Sequence, residues 1–487
     1  MLPVLLIVIP LLSGLIAFLV KQERSVKAWA LLSAIATLVV SVAGVLTTKE
    51  DLMFFDKPWL TDLGSSFHVG LDGMGKILCL LTGTSFPVIF IATWNSSYKK
   101  PHNFFALMLL SQAGLMGVFL AMDALLFYFF WELALIPVYF LCSIWGGERR
   151  IAATFKFFVY TFFGSILMLV AIIFVYFQTP DQSFSMESFY ATSKVQGASG
   201  WPFWLFLLAF AIKIPIFPFH TWQPDTYEQS PTAVTMVLSA VMVKMGVFGI
   251  LRWLVPVFPT AAFQFGDNPA ALCVIGMLYA SFLAMQQDDL KRLIAYSSIA
   301  HMGLMGLAIF VPANMGMQGV MIQMFNHGIN ILGMWIVVEL IERQMGTRKL
   351  SELGGLAQKA PTLAIMLVIV ALANVALPLT NAFIGEFLMF AGIFTSTASK
   401  YHYIFAVVGA ISIILSAVYT FNMIQKVFYG NTNALTANAR DIRLNEKLIL
   451  SVLVIMIIVV GVYPKPILEI TQDAVDALMS RMYIKNS

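Results

Sequence analysis

The chain has 487 residues, 60% of them hydrophobic and only 11% charged, where a soluble domain carries about 25% charge. Its net charge of +4 comes from basic residues in short segments between apolar runs, so it indicates no nucleic-acid partner. The composition instead requires a lipid bilayer, and the fold class is an all-α, polytopic membrane protein, because apolar runs of about 20 residues recur along nearly the whole length.

The first run, MLPVLLIVIPLLSGLIAFLV, has no basic leader and no small-residue cleavage site. It reads as a retained first span that starts outside. In all there are about 14 predicted spans, near 2–20, 28–47, 74–95, 103–121, 123–145, 151–177, 202–227, 231–256, 269–287, 290–311, 316–341, 361–393, 402–428 and 446–463. The polar segments 48–73, 178–201, 342–360 and 429–445 separate some of them, and the tail 464–487 reads as a short surface helix. The divisions are an N-terminal group of three helices at 1–102, a first five-helix unit at 103–256, a second at 268–430, and a last helix with its tail at 431–487.

Orientation follows from the Lys/Arg bias. With the N-terminus outside, the inner loops hold 17 of the 29 basic residues, among them Lys99, Lys100, Arg149, Arg150, Arg292 and Arg348, and the outer segments hold 7, among them Lys49, Lys194 and Lys485. Both termini are therefore expected on the outer side.

The seventh and twelfth spans carry breakers. Pro215 and Pro218 remove the helical partners of the Ala211 and Ile214 carbonyls, and Pro378 removes that of Asn374. Non-helical backbone at this depth persists only where protein or a wet cavity satisfies it, and interrupted helices at corresponding places in two halves point to transporter-type repeats. The seventh span is fourth in the run 4–8, and the twelfth is fourth in the run 9–13. An odd number of spans per unit would invert one unit relative to the other.

Six ionisable residues fall where hydrocarbon should be: Glu132, Lys213, Lys244, His301, His327 and Glu386. A charge at mid-bilayer costs roughly 2.5–3.5 kcal/mol on insertion scales, which makes each a functional candidate. At a rise of 1.5 Å per residue, Glu132 lies about 15 Å into its span, Lys213 about 16 Å and Lys244 about 20 Å, with both histidines at similar depth. Groups sharing one layer suit lateral proton transfer. Burial disfavours a charged form and an opposite charge favours it, so a Glu132–Lys213 pair that opens and closes would alter the proton affinity of the lysine. Histidine suits a relay because it titrates near neutrality. The plain alternatives are a static ion pair for Glu132 and Lys213, snorkelling for Lys244, hydrogen-bonded core histidines, and a structural partner for Glu386. His220, beside the first break, would cap freed backbone or hold a water. Lys156 and the charges at span ends (Asp123, Arg149, Asp288, Asp289, Arg292) read equally as interfacial anchors. Cys79, Cys142 and Cys273 lie in apolar runs without a CxxC pair and read as small buried hydrophobes. No Fe–S ligand set, haem-attachment motif, GxGxxG or P-loop is present, so no cofactor is expected in this chain and the energy for uphill transport would come from a partner or an ion gradient.

The segments YFFWELALIPVYFLCSIWGGERRIAATFKFFVYTFFGS, AFAIKIPIFPFHTWQPDTYEQSPTAVTMVLSAVMVKMGVFGILR, QDDLKRLIAYSSIAHMG and NAFIGEF closely resemble the antiporter-like proton-translocating membrane subunits of respiratory complex I, the NADH–quinone oxidoreductase. Among these the chain is most similar to the chain M, or subunit 4, type. The resemblance covers residues 70–430 well and the rest by topology. It implies about 14 helices, with spans 4–8 and 9–13 as inverted repeats and broken helices at spans 7 and 12. It also implies roles: Glu132 modulates Lys213, Lys244 carries protons toward the centre, His301 and His327 continue the wire, and Glu386 ends it. Sister subunits usually carry lysine at that last position. Two departures stand out. HTWQPDTY replaces the usual HTWLPDAH, so Gln223 stands for a leucine and Tyr227 for a histidine, which leaves any proton-entry role of that histidine without its residue. LDGMG replaces a segment usually reading DGLS and receives no function.

The function expected is a proton-translocating membrane-arm subunit, part of an enzyme complex but without its own redox centre. The resemblance implies NAD, FMN, iron–sulfur clusters and quinone in partner subunits, two flanking sister subunits, and an energy-transducing membrane, such as a bacterial inner membrane. The alternative is a D-type subunit of a multisubunit cation/proton antiporter, which shares the charged layer but fits the WGGERR and HTWQPD blocks less well. An electron-transferring or quinone-binding chain is a third reading, against which the missing cofactor ligands weigh.

Overall fold

The structure, a computed structural model, describes residues 1–193 and 200–483. Lys194 and Lys485, counted above among the outer basic residues, lie outside the described residues. The principal helices in chain order are α1 Leu2–Ala17, α2 Glu23–Leu46, α3 Gly73–Ala92, α4 Pro101–Leu120, α5 Ala124–Trp145, α6 Arg150–Tyr176, α7 Trp201–Lys213 and α8 Trp222–Gln229. They continue with α9 Thr232–Val257, α10 Asp267–Met285, α11 Leu290–Phe310, α12 Asn314–Met345, α13 Pro361–Asn374, α14 Asn381–Thr395, α15 His402–Phe428, α16 Leu444–Val462 and α17 Lys465–Tyr483. Among the described residues, 11 helices are long and apolar enough to cross a membrane, and α1, α7, α13 and α14 are shorter apolar helices. Span edges read from hydropathy agree with these helices to within a few residues, and the surface helix expected in the tail is α17.

Several helices begin where an acidic cap demands it. Asp72 accepts from the Gly75 N–H at the start of α3, Asp123 from Leu125 and Leu126 at the start of α5, and Asp289 from Lys291 and Arg292 at the start of α11. Each satisfies donors that a helix leaves orphaned in its first turn. Asp72, in the segment to which no function was given, also forms a two-pronged ion pair with Arg252 at the end of α9, with both contacts at 2.7 Å. Beside it, the segment 48–73 forms two small antiparallel hairpin pairings, Phe54–Phe55 with Val69–Gly70 and Pro58–Leu60 with Ser65–Ser66. Hydropathy registered this stretch only as polar.

The core lies at the centre of the bundle. α9 is buried throughout its most apolar stretch and α11 and α12 are 94% buried there, whereas α2, α6, α15 and α16 bury less than half. Helices apolar all round belong in such a centre, and the candidate residues Lys244, His301 and His327 sit on these three.

Both expected breaks are present. α7 ends at Lys213 and α8 begins at Trp222, and α13 ends at Asn374 and α14 begins at Asn381. The Ala211 carbonyl, expected to be left free by Pro215, is taken by the Ile216 N–H at 2.9 Å, one residue further along. The second break holds Ala376 at φ 58° and Leu379 at φ 74°, a left-handed backbone that costs a branched or bulky residue about 1–3 kcal/mol. Such strain survives only where the surroundings over-determine it.

Candidate functional site

Lys213 is the last residue of α7 and 1% exposed. Its Nζ has no hydrogen-bond partner among the described residues, and neither has the buried Oε1 of Glu132. No ion pair is closed between the two groups in this structure. The Nζ instead lies 5.6 Å from the centre of the Trp131 ring on α5 and 5.7 Å from that of Phe157 on α6. Trp222, at the start of α8, donates its indole N–H to the Ile212 carbonyl at 2.9 Å, so the last turn of α7 is satisfied by a side chain from across the break. His220 is buried between rings, with its centroid 5.6 Å from that of Phe217 and 5.3 Å from that of Tyr279. Its Nδ1 is buried without a partner among the described residues.

Lys244 stands between two π-type turns in α9, Leu238–Met242 and Ile250–Leu254, a distortion frequent at functional sites. Its Nζ donates to the Ser239 carbonyl at 2.8 Å and meets His327 Nδ1 at 2.7 Å. A protonated Lys244 donates to Nδ1, which puts the imidazole hydrogen on Nε2, and Nε2 lies 3.3 Å from Ser298 Oγ. The His327 and His301 rings are 5.7 Å apart, and His301 Nδ1 meets Glu386 Oε1 at 3.1 Å. Gln323 donates to the same oxygen at 3.5 Å. Thus Lys244, His327, His301 and Glu386 form one series across α9, α12, α11 and α14. Glu386 ends it on the wall of a cleft of about 590 Å³ between α14 and α15, lined by Phe383, Phe387, Phe390 and Phe394.

Lys213 and Lys244 lie on either side of a tight helix crossing. A Cβ at Gly246 would meet the Phe210 carbonyl oxygen at 2.9 Å and Ile214 Cγ1 at 2.6 Å, so only glycine lets α9 lie this close to the end of α7. The structure therefore brings four of the six sequence candidates into one chain of contacts and leaves Glu132 and Lys213 beside it, with no ion pair closed between them.

Sequence reasoning missed the neutral members. Ser298, Ser239 and Gln323 complete the series, and Trp131 and Phe157 enclose Lys213. Asparagines surround the second break: Asn326 donates to the Asn381 carbonyl at 2.7 Å, and Asn374 to Ser297 Oγ at 3.1 Å. The spacing of Gln323, Asn326, His327 and Asn330 on one helix was the signal available for that cluster. Around α8, Lys156 is an ion-pair partner, bonded to Asp225 at 2.8 Å, and Arg292 bonds Asp225 at 3.1 Å and Glu228 at 2.7 Å. Of the two departures in HTWQPDTY, Gln223 donates to the Ala295 carbonyl at 3.3 Å, and the Tyr227 hydroxyl is buried without a partner among the described residues. All three cysteines are buried and unpaired. Among the described residues, no group of three or more His, Cys, Asp or Glu could hold a metal ion.

Broken helices packed with buried acids and bases, several of them bonded to one another, define a membrane protein of the ion-translocating class. A family model described as NADH:quinone oxidoreductase/Mrp antiporter, TM, matches residues 121–416. The Rickettsia prowazekii protein named NADH-quinone oxidoreductase subunit M is 34% identical over 462 residues, 92% of each chain. The Methanosarcina mazei protein named F(420)H(2) dehydrogenase subunit M is 32% identical over 499 residues, 99% of each chain. A chain of respiratory complex I from Thermus thermophilus superposes with a TM-score of 0.89 at 27% identity, covering 98% of this chain and 100% of that one. The chain belongs to the NADH:quinone oxidoreductase/Mrp antiporter transmembrane family.

Proposed function

We propose that this chain is the subunit-M-type membrane subunit of a proton-pumping quinone oxidoreductase, in which Glu132 and Lys213 gate a relay through Lys244, His327, His301 and Glu386. The single observation that carries the reading is the series of contacts from Lys244 to Glu386, made by side chains that are at most 10% exposed. Moving one proton against 100 mV takes about 2.3 kcal/mol, which electron transfer in partner subunits would supply. NAD, FMN, iron–sulfur clusters and quinone belong to those partners in this reading, and two sister antiporter-like subunits flank the chain. The name of the M. mazei relative indicates that the electron donor is set by the partners and can differ between assemblies. We read residues 103–256 and 268–430 as two inverted five-helix repeats, on the support of the paired breaks. We place both termini on the outer face of an energy-transducing membrane, by the Lys/Arg bias.

The test is pumping by the assembled complex in proteoliposomes. Lys213→Ala and Glu132→Ala are each expected to leave assembly intact and to lower protons moved per electron about tenfold or more, as loss of a positioned acid–base group does. Parental stoichiometry in both variants overturns the gating role. The antiporter reading is separated by partners: redox proteins co-purify in one case, small hydrophobic subunits alone in the other.

A further inference from the structure

We propose that Trp131 and Phe157 are positioning residues for Lys213, forming an aromatic cage that holds the ammonium when Glu132 has let it go. The inference rests on the relay reading above and adds a second resting place for the lysine. Three observations carry it. The Nζ lies 5.6 Å and 5.7 Å from the two ring centres, within the range at which a ring face attracts a cation. It has no hydrogen-bond partner among the described residues although it is buried, so no acceptor competes with the rings at hydrogen-bond distance. Both rings are themselves fixed: Trp131 packs on Phe127 at 5.6 Å and Phe210 at 5.8 Å, and Phe157 on Trp222 at 5.1 Å.

The physical consequence is a two-position switch. In one position Lys213 is paired with Glu132. In the other the ring faces replace part of what the carboxylate supplied, so opening the pair does not strand a bare cation in hydrocarbon. The attraction is specific to the charged form. A lysine that has passed its proton to water is a neutral amine, loses the attraction to the rings, and is free to return toward Glu132. Trp131 is adjacent in sequence to Glu132, so any movement of α5 that turns the carboxylate away also moves one wall of the cage. Trp222 backs Phe157 and bonds the last turn of α7, which ties the other wall to the break.

Site-specific incorporation of mono-, di-, tri- and tetrafluorotryptophan at position 131 drains the ring face of negative charge with little change in shape. In the assembled complex reconstituted in proteoliposomes, protons pumped per electron are expected to fall stepwise with fluorine number, to about tenfold across the series. Phe157→Tyr is expected to keep pumping and Phe157→Leu to lower it. A flat fluorination series with intact assembly overturns the cage, because packing alone would tolerate fluorine. Lys213→Ala run in parallel separates the two ideas. If it abolishes pumping while the series is flat, only the cage fails; if it pumps as the parent does, the relay reading fails and the cage with it.

Discussion

Lys244 is the residue on which the buried series depends, because its ammonium has two protein acceptors, the Ser239 carbonyl and His327 Nδ1. Replacing the imidazole by an apolar group of similar bulk removes one of them and leaves a buried cation short of a partner, a loss of about 1.5–3 kcal/mol for a hydrogen bond to a charged group. His327→Leu is therefore expected to lower the melting temperature of the purified complex by a few degrees and to abolish pumping. His327→Gln can still accept from Lys244, so it is expected to recover the stability but not the pumping, because an amide does not exchange protons near neutral pH. Thermal melts beside pumping assays check this, and a His327→Gln variant that pumps normally would remove the histidine from the relay. The charged members of this series were legible in the sequence because an ionisable group inside an apolar run is expensive and rare. Ser298, Gln323 and Trp131 were not, since neutral polar and aromatic residues are ordinary in spans. Nor does one chain of letters say that residue 327 meets residue 244, or that no ion pair is closed between Glu132 and Lys213.

Among the elements, the two broken helices decide what the bundle can do, and their breaks are held differently. The first is closed from within: the Ile216 N–H takes the Ala211 carbonyl and the Trp222 indole takes that of Ile212. The second has the same internal closure, the Leu377 N–H taking the Leu372 carbonyl at 3.0 Å, and is in addition held from outside. α16 lies against it so closely that a Cβ at Gly461 would run into the Leu379 carbonyl oxygen, and Leu379 is one of the two residues in left-handed backbone there. The amide of Asn326 holds the Asn381 carbonyl on the other side. At the start of α13, Asp441 reaches across from the loop before α16 and accepts from the Thr362 and Leu363 N–H groups at 3.0 and 3.1 Å. Gly461→Ala is thus expected to displace the break itself, costing about 1–3 kcal/mol as overpacking does and reducing pumping. Gly430→Ala serves as the comparison: this glycine has φ 84° but no atom near its absent side chain, so any loss there is of stability without a specific loss of pumping. Equal behaviour of the two in melts and pumping would show that α16 does not buttress the break. Prolines announced both interruptions in the sequence, but the buttress was invisible, because a glycine in an apolar span reads as any small residue until its neighbour is known.

Across the whole molecule, the two halves are joined at the centre by the buried series and at the face where α8 lies by a network of ion pairs. Glu228 on α8 is its hub. It bonds Arg149 at 3.0 Å, Arg292 at 2.7 Å and Arg348 at 3.5 Å, guanidiniums that precede α6, lie on α11 and follow α12. Arg348 continues to Asp289 and to Glu342, and Lys291 joins Glu342 at 3.0 Å. An isolated surface pair contributes about 0–1 kcal/mol, but a network of partly buried charges is a different case. Glu228 keeps only a tenth of its side chain exposed, and Glu228→Gln would leave three cations facing a neutral amide. The consequence should reach function, because α8 is the second half of the broken helix whose first half ends in Lys213. If the network couples the halves, Glu228→Gln lowers the melting temperature of the complex and also uncouples it, with quinone reduction continuing while protons moved per electron fall. Raising ionic strength should weaken the Arg149 arm first, because its guanidinium is 73% exposed against 27% and 22% for Arg292 and Arg348, so the melting temperature of Arg149→Gln should depend less on salt than that of the parent. A Glu228→Gln complex that melts early yet pumps at parental stoichiometry would make this ion-pair network a fastening between the halves and nothing more, and coupling would then have to pass through the central series of Lys244, His327, His301 and Glu386 alone.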